Sequence, residues 1–151
     1  MASRGPIAMR NTARRKRRNM FSLPVLQAPE KRIYLIFPET VDCANGRIPM
    51  EEGRIVAQSC HVGRMLEFNQ AASEYREITT ITLGVRNSKE LNKIAGDLNE
   101  EFWDRYAEFR DHNPGLYGSN DRVLTAVAVG PITRDEVENA IGHLELYQKR
   151  D

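Results

Sequence analysis

The chain has 151 residues, 40% of them apolar and 28% charged, enough for one domain with its own core. No apolar run approaches the ~20 residues that cross a bilayer, and two cysteines, Cys43 and Cys60, are too few for a disulfide framework, so reduced thiols in a cytosol-like compartment are expected. The net charge of +1 hides an asymmetry: nine Lys or Arg against Glu30 alone up to Arg32 give +8, and residues 33–151 carry −7, a basic arm on an acidic body.

Residues 1–30 lack hydrophobic periodicity and hold the run Arg14-Arg15-Lys16-Arg17-Arg18. With Pro6 and Pro24 they read as an extended, mobile arm ahead of a folded domain at 31–151. Such a run suits contact with nucleic acid or another polyanion. A targeting peptide and a plain solvated tail are the other readings. The expected location is the cytoplasm; the alternative is the mitochondrion, because the Arg-rich, acid-free start is compatible with a presequence, although the dense charge block interrupts an amphipathic face.

Lys31 to Phe37 runs into Ile33-Tyr34-Leu35-Ile36-Phe37 and ends at Pro38, the pattern of a buried strand. Pro38 to Pro49 is expected to be a loop with an Asn45-Gly46 turn. A helix is expected from about Met50 to Phe68, with Glu51 and Glu52 at the positive end of its dipole. Ile78 to Val85 is a second strand by its Ile, Thr and Val content.

Asn87 with Glu90 predicts a capping box for a helix whose apolar stripe is Leu91, Ile94, Leu98 and Phe102. Trp103 is expected to cover the sheet. Arg105 to Phe109 is a weak third strand, 111–120 is turn-rich, and Val123 to Val129 is a fourth strand. Gly130-Pro131 turns the chain, and Thr133 with Glu136 caps a last helix that ends near His143. Strands separated by helices indicate an α/β fold: a single-domain three-layer sandwich with a mixed four-stranded sheet and helices on both faces.

One stretch concentrates polar chemistry. Within Gly53-Arg54-Ile55-Val56-Ala57-Gln58-Ser59-Cys60-His61-Val62, helical spacing places Arg54, Gln58 and His61 on one face. Gly-Arg-Ile-Val-Ala-Gln-Ser-Cys-His resembles the Gly-Lys-x-Ala-Ala-Gln-x-x-His signature of the type II peptidyl-tRNA hydrolases. Thr125-Ala126-Val127-Ala128-Val129-Gly130-Pro131 and Ile141-Gly142-His143-Leu144-Glu145-Leu146-Tyr147 are similar to that family's closing strand, Gly-Pro turn and ending. The resemblance spans roughly residues 31 to 148, and the stretch after the first strand is longer than the family's.

The resemblance implies hydrolysis of the ester joining a peptide to the terminal ribose of tRNA, with tRNA as partner; two Cys and three His scattered along the chain argue against a zinc site, and no cofactor is expected. It places the family's lysine at Arg54 and its Arg-Asp pair at Arg110-Asp111, while the loop threonine of the family has no match in His-Asn-Pro-Gly-Leu-Tyr-Gly. Arg54 would grip a phosphate or oxyanion without exchanging a proton. Asp111 would orient or deprotonate water, and His112 beside it is a replacement acid or base. Gln58, His61 and Arg110 are substrate-side residues, and Tyr117 is placed to stack on a terminal base.

Each of these has a plainer reading. Arg54 and Asp111 would form an ordinary surface ion pair, Gln58, His61 and His143 would be satisfied locally, and Tyr117 would pack within its loop. Cys60 and His61 point ~100° apart on a helix and do not make a nucleophile–base pair. At the level of the chain, the alternative to the enzyme is a catalytically lapsed member of the fold that serves as an RNA-binding or assembly module through its arm. A homodimer is one possibility, and the oligomeric state is not legible in the sequence.

Overall fold

A computed structural model of the protein describes residues 30–68 and 78–147; the run Arg14-Arg15-Lys16-Arg17-Arg18 and the rest of the arm before Glu30 lie outside the described residues. The elements are β1 (Lys31–Pro38), β2 (Thr40–Cys43), β3 (Gly46–Pro49), α1 (Glu52–Phe68), β4 (Thr79–Val85), α2 (Ser88–Phe102), a 3-10 turn (Trp103–Arg105), β5 (Tyr106–Asp111), α3 (Pro114–Tyr117), β6 (Val123–Thr133), α4 (Arg134–Ile141) and β7 (Glu145–Leu146). The main sheet has the order β5-β6-β1-β4-β7. Only β1 and β4 run parallel, and α1 lies in the crossover that joins them.

The sheet is mixed and covered on both sides, as expected for a three-layer sandwich. Val62 and Leu66 of α1 pack on Ile33, Leu35, Phe37, Ala126 and Ala128. On the other face, α2 and α4 cover Tyr34, Ile36, Leu83 and Val127, and the α2 stripe of Leu91, Ile94, Leu98 and Phe102 is buried there as its spacing requires. β6 lies between β5 and β1 and is buried from Leu124 to Ile132. Each Val, Leu or Ile sealed this way contributes roughly 1.5–3 kcal/mol.

Several expectations change in detail. All four expected strands are present, but the fourth runs on through Gly130-Pro131, where a turn was expected, to Thr133, because Ile132 and Thr133 still pair with Arg32 and Lys31 of β1. The two-residue β7 adds a fifth strand at the β4 edge. The stretch expected to be a loop after Pro38 is instead a hairpin, with Thr40 paired to Pro49 and Cys43 to Gly46. Its turn works because Gly46 takes φ +95°, a conformation open to glycine.

Trp103 does not cover the sheet: α2 ends at Phe102, the chain tightens into the 3-10 turn, and the indole is 73% exposed. α4 ends at Ile141, so His143 lies beyond the helix rather than at its end.

The caps hold with one variation. The Thr133 hydroxyl oxygen accepts from the Glu136 backbone N–H while the Glu136 carboxylate accepts from the Thr133 backbone N–H, a full capping box, and the latter bond holds the Glu136 carboxyl below its usual range. At α2 the Asn87 side chain accepts from the Glu90 N–H at 3.1 Å, but the Glu90 carboxylate accepts from Arg86, one residue before the cap, at 2.9 Å.

Between Phe109/Ala126 and Arg110/Leu124 the β5–β6 register shifts, leaving Thr125 as an extra residue on β6. That bulge puts Leu124 in the α2-side core and Ala126 in the α1-side core. It also presents Thr125 toward α1.

Candidate active site

Three segments far apart in the sequence converge beside the start of α1. Arg54 sits in its first turn, Asp111 is the last residue of β5, and Tyr117 closes α3. The Tyr117 hydroxyl donates to Asp111 Oδ2 at 2.8 Å and accepts from the Arg54 guanidinium. Arg54 Nη2 lies 3.9 Å from the same carboxylate oxygen, and its Cζ stands 5.4 Å from the Tyr117 ring centroid. The two charged side chains keep about a fifth of their surface accessible, at 21% and 20%.

Tyr117 itself is fully buried, packed with Val41 and Met50 in a small core that Ile55, Leu116 and Val123 complete. The expectation that its ring stacks on a terminal base therefore fails, because no face is left open. Burial is the largest influence pushing its hydroxyl above the ordinary phenol range; the bond to Asp111 adds to the rise, and the Arg54 charge pulls against it. The phenol thus stays protonated, which is the form that donates to Asp111.

The hairpin secures this arrangement. The Asn45 side-chain N–H donates to the Leu116 carbonyl at 3.0 Å, and the Asn45 backbone N–H to the Tyr117 carbonyl at 3.2 Å. These carbonyls belong to the C-terminal end of α3, where no further helical turn supplies donors. Gly118 follows at φ +74°, and a Cβ there would be driven into the Asn45 amide. The segment longer than its counterpart in the resembled family is thus a wall of the site.

Farther along α1 the same face becomes structural. Gln58 is 5% exposed and its Oε1 accepts from the Thr125 hydroxyl at 3.0 Å, so its polar group is consumed inside the protein. His61 is exposed and stacks on Phe109 of β5, with centroids 4.6 Å apart and planes at 10°. Arg54, Gln58 and His61 do share a face, as helical spacing requires, but only Arg54 meets Asp111.

Arg110 is exposed and pairs with Glu108 at 3.4 Å. His112, the residue after Asp111, is exposed and takes no part in the hydrogen bonds that join Arg54, Tyr117 and Asp111. His143 lines a separate depression with Glu39, Arg86 and Glu90. Two contributors went unread in the sequence. Thr125 carried a signal, a hydroxyl in the middle of an otherwise apolar strand; Asn45 was visible only as a turn residue, because both of its acceptors lie about 70 positions away.

Chemically, the cluster offers a carboxylate whose Oδ2 is held by a phenol and a guanidinium, with Oδ1 bound by no donor among the described residues. That oxygen can orient a water and accept its proton, while the guanidinium can face a developing negative charge. Among the described residues no three His, Cys, Asp or Glu side chains gather as a metal site would require. The family described as Peptidyl-tRNA hydrolase PTH2 matches residues 40–147. No curated protein matches the chain.

Proposed function

Since the chain belongs to the peptidyl-tRNA hydrolase PTH2 family and hydrolyses the ester between peptide and tRNA, we propose that the reaction runs at Arg54 and Asp111, with Tyr117 holding the two in place. The approach of Arg54 to Asp111 through a shared phenol carries this reading. The Asp111 carboxylate takes a proton from water as the water oxygen bonds to the ester carbonyl carbon. The carbonyl electron pair moves onto oxygen, where the Arg54 guanidinium stabilises it. Collapse expels the ribose oxygen, which receives the proton from Asp111, leaving free tRNA and a peptide carboxyl group.

Arginine stays charged through this cycle, so Asp111 alone moves the proton. Tyr117, buried and protonated, keeps Asp111 Oδ2 engaged and leaves Oδ1 facing the water. Incubation of the purified protein with peptidyl-tRNA tests the assignment. Wild type releases peptide, Asp111→Ala loses about 10²–10⁴ in rate, and Arg54→Ala is comparably impaired. Turnover that survives both substitutions would place the chemistry elsewhere, and no turnover by wild type with tRNA still bound would make the protein a binding module.

The arm completes the reading. A body at −7 repels a polyanion, so residues 1–30 supply the long-range attraction for tRNA. Deleting them weakens tRNA binding and flattens its dependence on salt. An unchanged salt slope would exclude the arm from the interface.

A further inference from the structure

One aromatic pair close to the Arg54–Tyr117–Asp111 cluster takes no part in it. His61 lies on the face of α1 that carries Arg54, and its ring stacks on Phe109 with centroids 4.6 Å apart and planes at 10°. The pair seals little, because His61 is exposed and Phe109 is only half-buried at the margin of the core between α1 and the sheet. Phe109 covers one side of the imidazole, which leaves the other side and the polar edge of the ring to solvent.

Two periodicities set how far this pair lies from Asp111 and Arg54. Side chains two residues apart on β5 share a face, so Phe109 and Asp111 both look toward α1, ~7 Å apart along the strand. On α1, Arg54 and His61 are two turns apart, ~10 Å along the axis. Ala57, exposed between them, puts only a methyl group on that stretch of helix surface. Arg64 follows one turn beyond His61 and is also exposed. One strip thus carries a guanidinium beside a carboxylate, a low gap, an open aromatic face and a second cation.

Peptidyl-tRNA presents its groups in the same order. The ribose whose oxygen carries the peptide ester also carries the terminal adenine, and a phosphodiester joins that nucleotide to the rest of the single-stranded end. Unpaired bases are held by stacking on aromatic side chains, histidine among them. Tyr117 cannot serve, because its ring is sealed. We propose that the terminal adenine of tRNA stacks on the open side of His61, with Phe109 holding the imidazole flat from behind. The ribose then lies over Ala57, the ester reaches Arg54 and Asp111, and Arg64 meets the phosphate beyond the base. This placement rests on the reaction assigned to Arg54 and Asp111, and it makes His61 a substrate-positioning residue that moves no proton.

The test separates binding from chemistry. The full chain is titrated by NMR with the trinucleotide CpCpA, which has the single-stranded end of tRNA but no ester, and with CpC, and peptidyl-tRNA hydrolysis is measured alongside. CpCpA shifts the ring protons of His61 and Phe109 and binds about tenfold more tightly than CpC, as one stacked base provides. His61→Ala weakens CpCpA binding about tenfold and raises KM for peptidyl-tRNA by a similar factor with little change in kcat. His61→Phe keeps a flat ring without the imidazole nitrogens and stays within about threefold of wild type. Equal affinity of the wild type for CpCpA and CpC overturns the proposal, and so does a His61→Phe loss as deep as that of His61→Ala. The first comparison needs no variant, so it decides the matter even where a substitution impairs folding. CpCpA binding that depends on His61, in a wild type that does not hydrolyse peptidyl-tRNA, would keep the adenine site and remove the reaction; hydrolysis without such binding would do the reverse.

Discussion

Replacing Tyr117 by Phe removes one oxygen from the centre of the proposed site and leaves the surrounding core filled. The ring is fully buried against Val41 and Met50, so Phe keeps its packing. What disappears is a 2.8 Å bond to a carboxylate and the acceptor for the Arg54 guanidinium. A hydrogen bond to a charged group contributes ~1.5–3 kcal/mol. Part of this returns if Arg54, already 3.9 Å from Asp111 Oδ2, closes onto the carboxylate directly. The net loss is then about 1–2 kcal/mol, or ~2–8 °C in Tm for a chain of this size.

In catalysis, a loosened Asp111 costs about the same amount again, near tenfold in kcat. KM changes little, because a buried residue cannot touch tRNA. The assay is steady-state hydrolysis of peptidyl-tRNA beside a thermal melt, with Asp111→Ala as reference. A Tyr117→Phe enzyme with wild-type kcat and Tm would refute the view that the phenol organises the site. A loss as deep as that of Asp111→Ala would refute a purely positioning role, because it would mean the hydroxyl itself takes part in the chemistry.

Thr125→Val leaves the buried Gln58 Oε1 without its donor and should cost ~1–3 kcal/mol, whereas adding Gln58→Leu recovers most of it because both polar partners are then gone; a denaturant double-mutant cycle with no such coupling would contradict the Gln58–Thr125 bond. Asn45→Ala strips the side-chain donor from the Leu116 carbonyl and should lower kcat several-fold at an almost constant KM, since Asn45 holds the α3 turn rather than substrate; equal losses in kcat and 1/KM would point to direct substrate contact instead. Burial, reinforced by Glu108 at Tyr106 and by Asp111 at Tyr117, raises both hydroxyls above the phenol value of 10.0. Their neutral forms thus contribute stability that is complete below that pH and is lost as pH rises from there toward the raised folded values. Alkaline titration followed by phenolate absorbance should therefore find fewer than five tyrosines ionising while the fold persists, and all five titrating together near pH 10 in folded protein would contradict their burial.

Much of the scaffold was legible because local pattern and tertiary outcome agree. The run Ile33–Phe37 became the strand β1, the stripe from Leu91 to Phe102 became the buried side of α2, and Thr133 with Glu136 closed a full capping box. Departures came where a short segment's state depends on what it docks against. The 40–49 segment reads as a loop because it is polar and turn-rich, yet it pairs as a hairpin and lays Asn45 against residues 116 and 117. Trp103 was expected to be buried because it is large and apolar, but the end of α2 one residue earlier directs it outward.

The amino-acid order alone determined that Arg54, Gln58 and His61 share one helical face, since that follows from the 3.6-residue turn, and that Arg54 stands where the resembled family has lysine. Their different fates were decided by the sheet under the helix. The bulge at Thr125 draws Gln58 into the interior, Phe109 takes His61 as a stacking partner, and the end of β5 with the α3 turn delivers Asp111 and Tyr117 to Arg54. Residues 54, 111 and 117 meet only when β5, α3 and the hairpin pack together, so the Arg54–Tyr117–Asp111 cluster is a property of the tertiary structure rather than of any local stretch of sequence.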